Sequence, residues 1–212
     1  MMENGQLNDK FEESDTIEKE KVKLNRQWSF WENYESKNKD EQDYSKLLKE
    51  IYSFDDIISF WQFWNKYPGS ETSSVFFNGE CLKYFFKEKY RIIAINLFEK
   101  GIRPEWEDEK NKKGKIFTLE YSANKDFEKF LNAVKENWIN LLCLTLGESL
   151  PYSQYINGIR FVDKTKLGGW KRIILRYEVW VNRDISEDGV TTLKKDLSTR
   201  FGCPSTIVKP IE

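Results

Sequence analysis

Apolar residues along this chain recur with two periods, and the order in which those periods alternate leaves few folds open. Short aromatic or β-branched runs of strand character cover residues 28–34 (WSFWENY), 44–54, 90–99 (YRIIAINLFE), 116–121, 159–162, 172–181 and 206–208. Polar or glycine-containing turns separate them. Between them, three segments carry helical spacing: 57–67, which Asp55 or Asp56 can cap and Pro68-Gly69 stops; 126–146, ending at Gly147; and 189–200. Single helices interspersed among many strands predict an α+β fold, an antiparallel sheet with its helices on one face. The 212 residues fit one domain, expected over 22–212, without internal repeats. Residues 1–21 are charged and nearly free of large apolar side chains, so a disordered tail is expected there.

The first helical segment is over-supplied with apolar side chains. On a 3.6-residue wheel, Phe63, Tyr67, Phe60, Trp64, Ile57, Trp61 and Ile58 cover roughly 200 degrees, against the ~100 degrees that a core-facing stripe requires. Ile57, Ile58 and Trp61 lie together at one side of that arc. They are expected to await a partner or to be covered by a loop such as 71–84, and the residues alone favour neither. Rings are abundant throughout, with eight Trp, ten Tyr and fifteen Phe. That is more aromatic surface than a core needs, and partly exposed rings are good platforms for bases and partner helices.

Charge and polar chemistry narrow the function. Basic and acidic residues number 34 and 35, a poor footprint for gripping long nucleic acid through its phosphates, so any nucleic-acid contact should be local. The chain has no histidine, which removes the commonest general base, the Ser-His and Cys-His nucleophile pairs and the His-containing zinc sites. Cys81, Cys143 and Cys203 are widely spaced and form no C-x-x-C pair, so neither a disulfide framework nor a metal knuckle is suggested and a reducing compartment fits best. The opening residues hold no signal-type apolar run, and no stretch of about 18 apolar residues occurs. A soluble cytoplasmic protein is expected.

The most distinctive run is GIRPEWEDEKNKKG, residues 101–114. Pro104 disfavours helix before it and the following residues are too polar to bury, so Trp106 should present a ring face near solvent with the Glu107 carboxylate beside it. By pattern alone, a charged loop whose tryptophan folds back on the core is the readier reading than a ligand site.

This run resembles the signature loop of the eukaryotic translation initiation factor 4E family. Further family-like segments stand in order along the chain: Trp28-Ser29-Phe30-Trp31, Phe54-Asp55 through Phe60-Trp61, and Leu141-Leu142 through Gly147-Glu148. The resemblance covers the chain from about Leu24 onward. It implies a curved antiparallel sheet of about eight strands backed by three helices on the convex face, and a monomer that binds the 7-methylguanosine 5′ cap of messenger RNA without catalytic residues, cofactor or metal. Trp106 and Tyr44 align with the two rings that sandwich the base, Tyr44 standing where the family usually has Trp. Methylation at N7 leaves the guanine positively charged, which adds a cation–π term of roughly 0.5–2 kcal/mol per ring that plain guanine lacks. Glu107 aligns with the acid that accepts hydrogen bonds from the guanine N1–H and exocyclic amine.

The same resemblance implies phosphate contacts from Lys164 and Arg172, with Lys115 a further position and Lys166, Lys171 and Arg176 as additions. It implies that Ile57, Trp61 and Ile139 receive a Tyr-x-x-x-x-Leu-Φ helix from a 4G-like scaffold or an inhibitory binding protein, with Val22-Lys23 where the family has His-Pro. Two departures stand out. About three extra residues, Gly168-Gly169-Trp170, lie between Lys164 and Arg172, and Arg176 occupies the position of a Trp near the N7 methyl. Either Trp170 replaces that contact or the pocket is more open. The sequence ends at Glu212, soon after the last candidate strand, so the family's C-terminal loop and tail are expected to be absent. Alternatives are a cap-binding repressor of the same family, a hydrolase of capped nucleotides built on Glu107, Asp108 and Glu109, and an interaction module without ligand.

Overall fold

The computed structural model describes residues 22–36, 47–70, 76–78, 81–82, 90–123, 125–165 and 172–208. Tyr44, Lys166, Lys171, the Gly168-Gly169-Trp170 insertion and the expected tail at 1–21 lie outside the described residues.

Seven strands form one curved antiparallel sheet: β1 (Lys23–Ser36), β2 (Leu48–Asp56), β5 (Tyr90–Glu99), β6 (Lys115–Ala123), β7 (Ile156–Asp163), β8 (Ile173–Val181) and β9 (Thr206–Val208). Their spatial order is β2-β1-β5-β7-β8-β6-β9. This sheet agrees with the expected one of about eight strands; two further short strands, β3 (Phe77–Asn78) and β4 (Cys81–Leu82), pair only with each other.

Period-two alternation sends opposite side chains to opposite faces. In β8, Ile173, Leu175, Tyr177, Val179 and Val181 enter the main core, while Arg176, Glu178 and Trp180 face the other way. The main core is closed by three helices, all on that one face: α1 (Ile57–Trp64), α2 (Phe127–Leu146) and α3 (Glu187–Phe201). Helix α2 contributes Leu131, Val134, Trp138, Leu141, Leu142 and Thr145, the three-to-four spacing expected of a buried stripe. Burying each large side chain of this kind is worth about 2–3 kcal/mol.

Local chemistry sets the helix ends. Asp56, rather than Asp55, caps α1 by accepting from the Ser59 backbone N–H at 2.8 Å. The α-helix stops at Trp64, three residues before the expected end, and the chain turns through Pro68. Helix α3 begins at Glu187 rather than Gly189 because Ser186 is its cap, accepting from Gly189, and it ends at Gly202 in the left-handed region at φ +58°. Phe60 and Trp64 of α1 are buried, but Trp61 stays exposed at 38%. Ile57 and Ile58 are half-buried, so the uncovered edge of the wheel is narrower than expected.

The first strand is tied to the end of α2 by Arg26. Its guanidinium donates to Glu148 at 2.8 Å, to Glu99 at 3.1 Å and to the Ile156 carbonyl at 2.8 Å, while the Asn25 amide donates to Glu148 at 2.9 Å. The Asn25 amide, and after it Arg26, hold the Glu148 carboxyl below its usual range against the opposing effect of burial. A carboxyl with a depressed folded pKa stabilises above its unfolded pKa and loses that contribution as pH falls through the folded value. Glu148→Gln is therefore expected to lower Tm at neutral pH and to leave it unchanged in acid below the carboxylate range. Thermal melts at both pH values check this, and equal losses in both would show that the charge contributes nothing.

Candidate functional site

The loop at 101–114 leaves β5 through Gly101, whose φ of +88° is a conformation favouring glycine. It is braced from within. The Asp108 carboxylate accepts from the Arg103 and Lys110 backbone N–H groups at 2.8 and 2.9 Å, and the buried Asn111 amide donates to the Arg103 and Glu105 carbonyls, both at 2.8 Å. It is also braced from the sheet: Asn157 of β7 donates to the Lys110 carbonyl at 2.8 Å and to Asn111 Oδ1 at 2.9 Å. The loop re-enters β6 at Gly114, where a Cβ would lie 2.1 Å from the Val181 carbonyl oxygen. These polar residues satisfy backbone groups that a tight loop would otherwise leave orphaned.

The frame fixes Trp106. Its ring is half-buried and rests on Trp180 of β8, with centroids 4.4 Å apart and planes tilted by 33°. Both sequence expectations are met in part: the ring folds back onto a neighbour, and it keeps contact with solvent. Glu107, next in sequence, is exposed. Trp31, Phe98, Ile102, Ile116 and Trp180 form a second apolar cluster under Trp106, on the sheet face away from the helices.

Across that face runs a chain of polar contacts through five adjacent strands. Asn33 of β1 accepts from the Asn96 amide of β5 at 2.7 Å, and Asn96 accepts from Arg160 Nε of β7 at 2.8 Å. Arg160 pairs with Glu178 of β8 at 3.2 Å, and Arg176 lies 4.0 Å from the same carboxylate and 2.6 Å from Glu120 of β6. Directly opposed register positions explain three of these meetings: Asn96 with Arg160, Arg160 with Glu178, and Arg176 with Glu120.

The expected phosphate cations divide. Lys115 pairs with Glu187 at the start of α3, at 3.3 Å, and shares the strand parity of the core residues Phe117 and Leu119. That geometry turns it to the helix side, away from Trp106, because register rather than sequence nearness decides the face. Arg176 stands on the open face but is held by Glu120. Lys164 and Arg172 are both exposed where β7 and β8 meet their connecting segment; the Lys164 N–H donates to Ile174 O at 2.9 Å, and Arg172 donates to Ser122 at 2.7 Å. From Trp180 the strand rise puts Arg176 about 13 Å and Arg172 about 26 Å away. The base of this turn is pinned by Asp163, which accepts from the Thr165 N–H and from Arg91, each at 2.8 Å. Burial raises the Asp163 carboxyl above its usual range despite those donors.

On the helix side, Val22 is exposed and its carbonyl accepts from the Ile57 N–H at 3.0 Å, which places it at the start of α1. Lys23 pairs with Asp55 at 2.7 Å. Trp61 meets Phe60 edge-on at 4.8 Å, and Ile139 of α2 is half-buried.

With this geometry in place, comparison with known proteins is direct. The family model for eukaryotic initiation factor 4E matches residues 23–209. The chain belongs to that family. Among similar proteins, the Candida albicans eukaryotic translation initiation factor 4E is 29% identical over 137 residues, 64% of this chain and 56% of that protein. The tomato (Solanum lycopersicum) isoform 4E is 27% identical over 146 residues, 69% of this chain and 62% of that protein. The chain thus spans less than two thirds of the length of these relatives. Among solved structures, a C. elegans eIF4E-3 in complex with the 4E-binding protein Mextli superimposes with a TM-score of 0.64 at 19% identity, covering 91% of this chain and 94% of that one. An Ascaris suum eIF4E-3 crystallised with an m7G cap gives 0.64 at 20% identity, covering 90% and 92%. The initiation factor 4E fold is therefore shared.

Within this family framework, Trp180, Glu178, Arg160, Asn96, Asn111 and Asn157 were not singled out from sequence. The alternation of IILRYEVWV puts residues 176, 178 and 180 on one face, which was the available signal for two of them. Gly114→Ala is expected to force a backbone shift costing about 1–3 kcal/mol. Chemical denaturation checks the loss, and an unchanged midpoint would show that the loop is not locked at this point.

Proposed function

We propose that the chain binds the 7-methylguanosine 5′ cap of messenger RNA on the open face of its sheet, and that it delivers the bound message to the initiation machinery without covalent chemistry. The carrying observation is Trp106, held half-exposed on a braced loop and backed by Trp180, with the exposed Glu107 carboxylate one residue on. A ring so placed offers its π-face to a methylated, cationic purine, and a carboxylate beside it can accept from two donors on the guanine edge, which adenine cannot supply. Tyr44 would close the sandwich from the other side. The phosphates would then run along the open face past Arg176 toward Arg172 and Lys164. Arg176 is already paired with Glu120, and Lys164 and Arg172 lie exposed further along the same path, where they would meet the chain beyond the first phosphates. Family membership supports it, as does the m7G cap bound to the Ascaris suum relative.

Delivery requires a second surface. Trp61 and Val22 are exposed large apolar side chains beside half-buried Ile57, at the start and middle of α1, on the face opposite to the cap site. That arrangement suits an amphipathic helix of the Tyr-x-x-x-x-Leu-Φ type, and the C. elegans relative was solved with a 4E-binding protein.

Titration of tryptophan fluorescence with 7-methyl-GTP and with GTP tests the cap reading. About fivefold or more tighter binding of the methylated nucleotide is expected from the cation–π contribution of two rings, and Trp106→Ala or Glu107→Ala should each weaken that binding at least tenfold. Equal affinities would overturn the reading. For the partner surface, a Tyr-x-x-x-x-Leu-Φ peptide should capture the wild-type protein and lose Trp61→Ala, whereas equal capture of both would remove α1 as the docking site.

A further inference from the structure

The orientation of Trp106 is set at one remove. Its support, Trp180, is almost fully buried and meets Trp106 at 4.4 Å and the edge of Phe98 at 5.6 Å. Trp31, Phe98, Ile102 and Ile116 confine the indole within a packed cluster, and a tie on its N–H would select one setting within the broad well of the second tryptophan torsion. Here it is tied: Nε1 of Trp180 donates to Glu178 Oε2 at 3.1 Å. The same oxygen takes Nη1 of Arg160 at 3.2 Å, and the Arg160 guanidinium lies 5.3 Å from the Trp180 ring centre. Arg160 is in turn fixed by Asn96 at 2.8 Å.

We propose that Glu178 and Arg160 are positioning residues that act on the cap base through Trp180 and Trp106, and that they set how strongly the site prefers a methylated over an unmethylated guanine. The inference rests on the cap-binding reading above. Cation–π attraction depends on where the cation sits over the ring, whereas ordinary stacking tolerates a tilted platform. A rocking Trp106 would therefore weaken 7-methyl-GTP more than GTP, and selectivity would fall before binding is lost.

Calorimetric titration of both nucleotides separates this from a structural role, because loss of fold lowers the active fraction and leaves the ratio of the two dissociation constants unchanged. The paired variant Arg160→Leu/Glu178→Leu removes the tie without leaving a buried charge unpaired. Trp180→Phe, which keeps a ring but has no N–H, serves if the pair does not fold. Each is expected to lower the 7-methyl-GTP/GTP selectivity about fivefold, whereas Glu178→Gln, whose amide oxygen still accepts the indole N–H, should stay nearer the wild-type ratio than either. Folded variants with selectivity within twofold of wild type would overturn the positioning role. Wild-type protein that does not discriminate would instead overturn the cap reading itself.

Discussion

The contact between Trp106 and Trp180 joins a surface loop to the middle layer of the protein, and the functional account depends on it. A tryptophan on a charged fourteen-residue loop has no inherent reason to hold one orientation. It does so here because the loop is cross-linked by Asp108, Asn111 and Asn157, and because its ring lands on an indole that strand β8 presents from below.

Strand β8 shows how one stretch of chain furnishes both the main core and the open face. Its odd-numbered residues from Ile173 to Val181 enter the main core beneath the helices, and the even-numbered Arg176, Glu178 and Trp180 furnish the open face. Such a face would be costly if its charges were left unpaired in partly buried surroundings. Neighbouring strands answer each one in register, so the chain from Asn33 to Glu120 spans five strands with its donors and acceptors matched. One consequence is that Arg176 has much of its charge already engaged by Glu120, while Lys164 and Arg172 stand exposed.

Much of the fold was legible from periodicity. Strand β5 runs from Tyr90 to Glu99 as its alternation indicated, and α2 buries the stripe expected of it, because both signals arise from side chains that must choose a face. Ends were less legible: Asp56 was one of the two caps expected for α1, but α1 stops at Trp64 and Ser186 caps α3 ahead of the expected start at Gly189, because helix ends depend on backbone geometry that spacing does not encode. At the candidate site, the loop carrying Trp106 and Glu107 stood out in the sequence because its run of residues is a recognisable motif. Lys115 adjoins the loop in sequence, yet its strand parity and its pairing with Glu187 turn it to the helix side. Trp180 and the Arg160–Glu178 pair went unseen because they are assembled across strands far apart in the chain, by a register that no single strand displays.

What unites these observations is a tryptophan held on the open face by a braced loop and by the indole beneath it, which in the proposed reading is the platform for the cap base. A crystal structure of the protein with 7-methyl-GTP tests this most directly. The account predicts the purine lying against the Trp106 ring with its Watson–Crick edge at Glu107 and its phosphates directed toward the β7–β8 end of the sheet. Density for the nucleotide on the helix side, or on the open face with its base away from residue 106, would contradict it.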